Sequence, residues 1–237
     1  MRDFGYIREN YLALSLDIKE RAKKAGREVT LVAVTKSADD EELLALAECG
    51  IPDIGENRPG ELARRGELLF NAGYTPRLHE IGKLQRNKVK LIIDRAELIH
   101  SVDTVQLGRE ISRLAAARGR VQRVLIEVNS AREPNKSGAL PEDVEALMLE
   151  LRKMPSLSVC GLMTMGPLTQ SPEDIRPYFR LTKELFDRLS EKYGFEGEGI
   201  LSMGMSDSYA VAIEEGATLV RVGSRLFEKT KGENTDV

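Results

Sequence analysis

Strand-like and helix-like segments alternate strictly along this chain, and that alternation is what most constrains its fold. Eight short apolar runs rich in β-branched residues predict strands, and segments with apolar side chains three and four residues apart predict the helices between them. Strands joined by helical crossovers are parallel. Eight such units in 237 residues predict an α/β fold, a single (β/α)8 TIM-type barrel. The predicted strands are 30–36, 52–57, 78–82, 97–102, 121–129, 157–165, 199–203 and 218–222.

An extra helix is predicted before the first strand, over residues 4–25, because Ile7, Tyr11 and Leu14 repeat on one helical face. The pattern predicts further helices between the strands, with Asp39 and Asp103 as N-terminal caps of two of them. These helices cover 39–50, 59–70, 83–90, 103–119, 141–151, a long segment after Pro172, and 206–215.

We expect one domain over residues 1–237, with a polar, frayed tail at 228–237. An open doubly wound sheet is the alternative architecture. No Gly-x-Gly-x-x-Gly follows the first strand, which argues against its dinucleotide-binding form.

Composition narrows the range of functions. A net charge of −3 gives no reason to expect a nucleic-acid or anionic-membrane partner. Cys49 and Cys160 lie far apart, and nothing near His79 or His100 completes a metal-ligand set. The N-terminus has no apolar signal core, and the longest weakly polar run, 157–168, is too short to cross a bilayer. We therefore expect a cytoplasmic protein without a metal.

Lys36 ends the first predicted strand and is the leading candidate for a reactive group. A lysine at the end of a buried strand is held on rigid backbone, and loss of water around it favours the uncharged amine that attacks aldehydes. The alternative is a strand-end lysine that simply reaches solvent.

The ends of the seventh and eighth strands combine glycine with serine. TIM-type barrels often hold phosphate in the loops after these two strands. Glycine lets backbone approach a ligand, and free N–H groups and hydroxyls bind anions. Ordinary turn and cap residues are the alternative reading. A phosphorylated aldehyde opposite a lysine is either pyridoxal phosphate or a sugar phosphate. The small residues are Ser202, Gly204, Ser206, Gly223 and Ser224.

Six stretches match, in order, the sequence pattern of a known family. They are Val-Thr-Lys at 34–36, Ile-Gly-Glu-Asn-Arg at 54–58, His-Glu-Ile-Gly-Lys-Leu-Gln-Arg-Asn-Lys at 79–88, Gly-Leu-Met-Thr-Met at 161–165, Leu-Ser-Met-Gly-Met-Ser-Asp at 201–207 and Arg-Val-Gly-Ser at 221–224. On these residues the chain resembles the pyridoxal phosphate homeostasis proteins, which are single barrels related to the N-terminal domain of alanine racemase.

The resemblance implies that pyridoxal 5'-phosphate is the cofactor and that it forms a Schiff base with Lys36. It also implies phosphate contacts, a partner for the pyridine nitrogen and a ring pocket. The implied phosphate contacts are Ser202, Gly223 and Ser224. Arg221 is the implied partner of the pyridine nitrogen, and the ring pocket is formed by Asn57, His79 and Met163. The chain departs from the family pattern at Leu78 and Glu80, on either side of the histidine, and at 225–228.

The resemblance favours a protein that holds the cofactor over one that uses it. An arginine facing the pyridine nitrogen keeps its proton, which weakens the electron sink of the ring. Racemisation also needs a second acid or base, which related racemases take from a second domain, and we expect that domain to be absent. We therefore expect a monomer that delivers the cofactor to apo-enzymes through transient contacts. A small racemase or lyase using the same cofactor, or a sugar-phosphate aldolase, are the alternatives.

Other basic residues are weaker candidates. Lys136, in the loop 135–138, could be a second attachment point for the aldehyde or simply a solvated loop lysine. Lys83, Arg86, Lys88 and Lys90 predict a solvated basic helix face.

Overall fold

The eight strands close into one parallel barrel in the computed structural model, which describes residues 2–169 and 171–229. Each strand pairs with its sequence neighbours, and β8 returns to β1, with Ala33 opposite Val222. The predicted TIM-type fold is therefore confirmed, and the doubly wound alternative is wrong. The strands are β1 Thr30–Val34, β2 Asp53–Glu56, β3 Arg77–Glu80, β4 Ala96–Val102, β5 Gln122–Glu127, β6 Leu157–Met163, β7 Ile200–Ser202 and β8 Leu219–Val222.

Helices surround the barrel, and the predicted N-terminal helix is present as α1. Two short 3-10 segments, Arg86–Leu91 and Pro172–Ile175, complete the connections. Within the described ranges, no helix combines the length and the apolar character needed to cross a membrane. The helices are α1 Gly5–Lys24, α2 Asp40–Glu48, α3 Pro59–Asn71, α4 Val105–Ala116, α5 Val144–Arg152, α6 Arg176–Tyr193, α7 Tyr209–Glu214 and α8 Ser224–Phe227.

The helix predicted at 83–90 is wrong, since this connection contains only the 3-10 segment Arg86–Leu91. Val89 and Ile92 are fully buried and three residues apart, which suits the three-residue turn of a 3-10 helix. The basic residues around Val89 are exposed.

Among the other boundaries that differ from prediction, two are the starts of helices. Thr104, and not Asp103, caps α4, because its side chain accepts the N–H of Leu107 at 3.3 Å. The helix predicted from residue 206 begins only at Tyr209, after a turn closed by the bond from Ser208 N–H to the Met205 carbonyl at 2.9 Å. Most of the tail predicted to be frayed, 230–237, lies outside the described residues.

The inside of the barrel changes from apolar to polar along the strands. Leu98, Leu125 and Leu219 belong to a buried interior cluster. Side chains two residues further along a strand point to the same face, and these are polar: Leu98 is followed by His100, Leu125 by Glu127 and Leu219 by Arg221. The larger apolar layer lies between the strands and the helices. The carboxyl-terminal half of the interior is therefore where polar chemistry is concentrated.

Candidate functional site

We place the candidate site at the carboxyl-terminal end of the barrel, where buried polar side chains lie below exposed loops. A surface groove of about 700 Å³ lies elsewhere, between α1 and α2, and is lined by residues such as Phe4, Tyr11 and Leu44. None of the residues that the sequence predicts for a site lines that groove. In parallel barrels the functional groups come from the carboxyl ends of the strands.

Lys36 lies in a turn two residues past the end of β1, and its side chain is exposed. The expectation of a buried amine is therefore wrong. The reason is that β1 ends at Val34 and the chain turns at once, with the Ala38 N–H donating to the Thr35 carbonyl at 2.9 Å. The amine is offered to solvent from a tight turn.

A buried ion pair fixes this turn from below. Arg65 of α3 donates to the carbonyl oxygens of Thr35 and Ala38, the latter at 2.6 Å. Arg65 also pairs with Glu56 of β2 at 2.6 Å, and Glu56 accepts the Thr35 hydroxyl at 2.5 Å. We call Thr35, Glu56 and Arg65 the lysine clamp. Because the clamp holds the backbone on both sides of Lys36, the exposed side chain extends from a rigid turn.

The sequence reasoning missed this clamp, although a signal for it exists. Arg65 lies three residues after Leu62 and four before Leu69, which are both buried against the barrel. A charged residue on the apolar face of a helix needs a partner. The partner is Glu56, which ends the fully buried strand β2.

The loops after β7 and β8 meet beside the end of β1. A Cβ built on Gly223 would lie 2.8 Å from the Val34 carbonyl oxygen, so the Gly223 backbone runs directly against β1 near the Lys36 turn. The Gly223 N–H donates to Ser206 Oγ at 3.2 Å. Ser224 is exposed and begins α8. The first N–H groups of a helix have no partners within it, so backbone donors and hydroxyls are grouped here.

Ser202 and Arg221 lie deeper, inside the barrel, and both are buried. Arg221 Nη1 donates to Ser202 Oγ at 2.5 Å, and Nη2 donates to the Thr164 carbonyl at 3.1 Å. Burial lowers the pKa of Arg221 to about 10, although Glu127 opposes the shift. The guanidinium therefore remains charged at neutral pH.

Two histidines extend this contact across the barrel. Ser202 Oγ lies 3.0 Å from His100 Nδ1, and His100 Nε2 lies 2.9 Å from His79 Nδ1. His79 Nε2 lies 2.9 Å from an Asp53 oxygen. Burial places the pKa of His100 well below its usual value, with contributions from His79 and Arg221. The sequence did not predict the Asp53 contact, and with it the hydrogen bonds join residues of five strands, β2, β3, β4, β7 and β8.

Two buried carboxyl groups add to the electrostatics. Glu127, on the inner face of β5, accepts the Ser137 hydroxyl at 3.1 Å, and burial raises its pKa. Glu80 faces the layer outside the barrel and accepts the Gly82 N–H at 3.3 Å. Burial, with a smaller effect of Glu56, raises the pKa of Glu80 to about 8.

The predicted site residues thus fall into two layers. One layer is on or near the surface of the carboxyl-terminal end, and the other is buried within the barrel. Their contacts with a ligand stay predictions. The outer layer contains Lys36, Asn57, Gly223 and Ser224, and the inner layer contains His79, Met163, Ser202 and Arg221.

Lys136 is placed in the loop after β5. Its amine pairs with Glu133 at 2.6 Å and donates to the Gly166 carbonyl at 3.4 Å, and its side chain is half-buried. A second attachment at Lys136 stays a prediction.

Comparison with known sequences shows the family. The alanine racemase N-terminal domain family matches residues 10–230. The pyridoxal phosphate homeostasis protein of Aquifex aeolicus is 41% identical over 212 residues, covering 90% of this chain and 92% of that protein. The homeostasis protein of Helicobacter pylori is 34% identical over 203 residues, covering 85% and 88%.

Comparison with solved structures agrees. An unknown protein of Bifidobacterium adolescentis superposes with a TM-score of 0.88 at 32% identity, covering 96% of this chain and 98% of that one. PipY of Synechococcus elongatus, solved with pyridoxal phosphate bound, gives 0.81 at 27% identity, covering 94% and 100%. Alanine racemase of Clostridium difficile gives 0.72 at 16% identity, covering 97% of this chain and 57% of that one, which shows the fold alone.

A barrel with these strand-end residues thus falls in the alanine racemase N-terminal domain family, and this chain belongs to the pyridoxal phosphate homeostasis proteins within it.

Proposed function

We propose that this chain binds pyridoxal 5'-phosphate as a Schiff base on Lys36 and serves in homeostasis and delivery of the cofactor, with little or no catalysis of its own. One observation carries the proposal. The rigid turn of Lys36 and the glycine-serine loops after β7 and β8 meet at the end of β1, with Gly223 packed against the Val34 carbonyl. The similarity to the homeostasis proteins and to PipY, solved with this cofactor, supports it.

The residues present fit the parts of this cofactor. Its aldehyde supplies the carbon that condenses with an amine, and Lys36 offers an exposed amine on a rigid turn. Its phosphate needs several donors, and the N–H groups around Gly223 with the hydroxyls of Ser206 and Ser224 supply them. Arg221 would donate to the pyridine nitrogen, and Asn57, His79 and Met163 would surround the ring.

Arg221 supports a holding role. A guanidinium whose pKa is about 10 keeps its proton at neutral pH, so it donates a hydrogen bond and leaves the ring nitrogen unprotonated. An unprotonated ring withdraws electrons weakly. Turnover of amino acids should therefore be slow or absent.

The exposure of Lys36 supports delivery. A covalent bond to an exposed amine can be reached by water or by an amine of another protein, whereas a bond in a closed pocket cannot. We propose that the partners are apo-enzymes that use the same cofactor, met in transient contacts by a monomer of this chain.

A small racemase or lyase is the second candidate, and Glu127 is the observation that favours it. This carboxyl lies on the inner face of β5, and burial raises its pKa. Buried carboxyls with raised pKa values act as general acids and bases in many enzymes. Exchange of the α-hydrogen of amino acids with deuterated water would support this candidate, and no exchange across a broad panel would remove it.

The deciding experiment is the absorption spectrum of the purified protein with pyridoxal phosphate. We expect a visible Schiff-base band that disappears in Lys36→Ala and persists in Lys88→Ala, a matched change of an exposed lysine outside the site. Borohydride reduction followed by peptide mass measurement should find a pyridoxyl group on Lys36, not a sugar-phosphate adduct. Absence of the band from the unmodified protein would refute the proposal.

A further inference from the structure

Five buried side chains form a continuous hydrogen-bonded line across the inside of the barrel. Arg221, Ser202, His100, His79 and Asp53 are each buried. The successive distances are 2.5, 3.0, 2.9 and 2.9 Å. Arg221 and Asp53 are the charged ends of the line, and no direct contact joins them among the described hydrogen bonds. We call this set the interior chain.

The anion at one end determines the direction of the first bond. Arg77 donates to both Asp53 oxygens, at 2.7 and 2.6 Å. Burial alone would raise the pKa of Asp53, but hydrogen bonds from His79 and Arg77 lower it overall. An ionised carboxylate only accepts, so His79 Nε2 must carry the hydrogen. In a neutral imidazole, Nδ1 then holds a lone pair.

With a neutral His79 the directions of the other bonds follow. His79 Nδ1 accepts, so His100 Nε2 carries the hydrogen of the 2.9 Å bond. His100 Nδ1 then accepts, and the Ser202 hydroxyl must donate to it. Ser202 Oγ in turn accepts from Arg221, since a guanidinium has only donors. With both rings neutral, every bond has one hydrogen and one acceptor, and all point from Arg221 toward Asp53.

We propose that Asp53, at the amino-terminal end of the barrel, positions Arg221 through the interior chain. Asp53 holds both imidazoles as neutral Nε2–H tautomers, and the Ser202 hydroxyl is therefore turned away from the ligand. Asp53, His79, His100 and Ser202 are then positioning residues for Arg221. The inference deepens the proposed function, because it concerns the residue assigned to the pyridine nitrogen, but the tautomers can be measured without any cofactor.

The proposal reassigns Ser202. Its only hydrogen points to His100, so it has none to donate to a phosphate. Phosphate donors then come from the loop layer, where Ser206 and Gly223 are in contact. Arg221 is held at both terminal nitrogens, by Ser202 and by the Thr164 carbonyl, so its orientation is set before a ligand arrives.

A different protonation state would give a different pattern. A proton on His79 Nδ1 would face His100 Nε2. It would reverse the bond between the two imidazoles and the bond between His100 and Ser202. The charged groups that act on this choice are Asp53 and Arg77 on one side, and Arg221 with Glu127 on the other. Reversal would free the Ser202 hydrogen, so the two states are distinguishable.

The test is nitrogen-15 NMR of the full chain with labelled histidine, without cofactor, at pH 7.5. The sequence contains 2 histidines, so the spectrum shows two rings and no others. We expect both to be neutral with the hydrogen on Nε2. A hydrogen on Nδ1 of either ring, a protonated ring or an averaged mixture overturns the proposal.

Variants test whether the ends are coupled. In Asp53→Ala we expect His100, which does not touch Asp53, to lose its fixed tautomer together with His79. Glu97→Ala is the matched control, because it removes another carboxylate paired with an arginine, Arg123 at 2.7 Å, and should leave both rings unchanged. A His100 signal that is unaffected by Asp53→Ala contradicts the coupling.

Ser202→Ala removes a side chain near the Arg221 end of the interior chain. It tests the proposal even if Asp53→Ala does not fold. Because Asp53 sets the direction, both rings should keep hydrogen on Nε2. A switch of His100 to Nδ1 would overturn the proposal.

Cofactor binding gives a separate readout. We expect Asp53→Ala to raise the apparent Kd for pyridoxal phosphate roughly fivefold, the size of one hydrogen bond, and Glu97→Ala to leave it unchanged. An unchanged Kd in Asp53→Ala refutes the positioning role. If the unmodified protein forms no Schiff base, the proposed function fails, while the tautomers still decide the inference.

Discussion

Two buried polar networks support the candidate site, and they differ in how their charges meet. In the lysine clamp, Arg65 and Glu56 are in direct contact at 2.6 Å, outside the barrel. In the interior chain, Arg221 and Asp53 are separated by three neutral side chains. The lysine clamp bonds to backbone carbonyls and so fixes the turn of Lys36. The interior chain consists of bonds between side chains and so fixes the orientation of Arg221.

The difference indicates how each network should fail. Breaking a direct buried ion pair leaves an uncompensated charge, which is strongly destabilising. Removing one side chain from the interior chain leaves neutral groups without hydrogen-bond partners, which costs less free energy of unfolding. Stability should therefore depend mostly on the clamp.

The largest expected effect is that of Arg65→Leu. It leaves Glu56 buried without its partner, and we expect the free energy of unfolding to fall by about 3–5 kcal/mol. Urea denaturation measures this. Arg64→Leu is the control, because Arg64 forms an exposed pair with Asp40 at 2.8 Å that should be worth about 0–1 kcal/mol. Equal losses of unfolding free energy in the two variants would show that the lysine clamp stabilises the fold no more than an exposed ion pair does.

The pH dependence of Glu80, beside the clamp, should be next in size. Its pKa rises from 4.5 to about 8 on folding, so the folded state favours the neutral acid. Its stabilising effect is complete below the unfolded value and is lost as the pH rises toward 8. Glu80→Gln should gain about 2–3 kcal/mol relative to the unmodified protein between pH 5 and 8. A difference that stays constant over this range would count against a neutral Glu80.

The contribution of Asp53 to stability should depend on pH in the opposite direction, and it should be smaller than that of Glu80. The folded pKa of Asp53 is lowered, so its contribution is fully present above the unfolded value of about 3.9 and is lost as the pH falls through the lower folded pKa. Asp53→Ala should cost about 1–3 kcal/mol near pH 7 and converge on the unmodified protein in acid. Denaturation from pH 7 into acid measures this, and a gap that does not narrow as the pH falls below about 3.9 would mean that packing, not the carboxylate, is responsible.

The smallest effect on stability should be that of Ser206→Ala. Ser206 is only half-buried and contacts the Gly223 N–H at 3.2 Å, so we expect a loss of under about 1 kcal/mol. Its apparent Kd for pyridoxal phosphate should rise about fivefold. Measured beside Ser202→Ala by absorbance titration, it tests which layer holds the phosphate. An unchanged Kd would return that role to the inner layer.

Much of the fold could be predicted because its signals are local. Alternation of period two and period 3.6 depends on near neighbours in sequence, and the eight strands were found in order. The helix at 83–90 was wrong because a short connection between strands favoured a 3-10 turn around Val89. The sequence could not decide between a buried and an exposed Lys36, since the outcome depends on where β1 stops pairing.

The pattern of residues by itself determined the barrel, the position of a lysine at the end of β1 and the glycine-serine composition of the last two strand ends. The tertiary structure alone decided which charges meet. Asp53 and Arg221 are 168 residues apart, and Arg65 reaches Glu56 and the Lys36 turn only because α3 packs against β2. Inward-facing positions can be counted along one strand, but partners across a closed barrel depend on its register and closure, which no local pattern specifies.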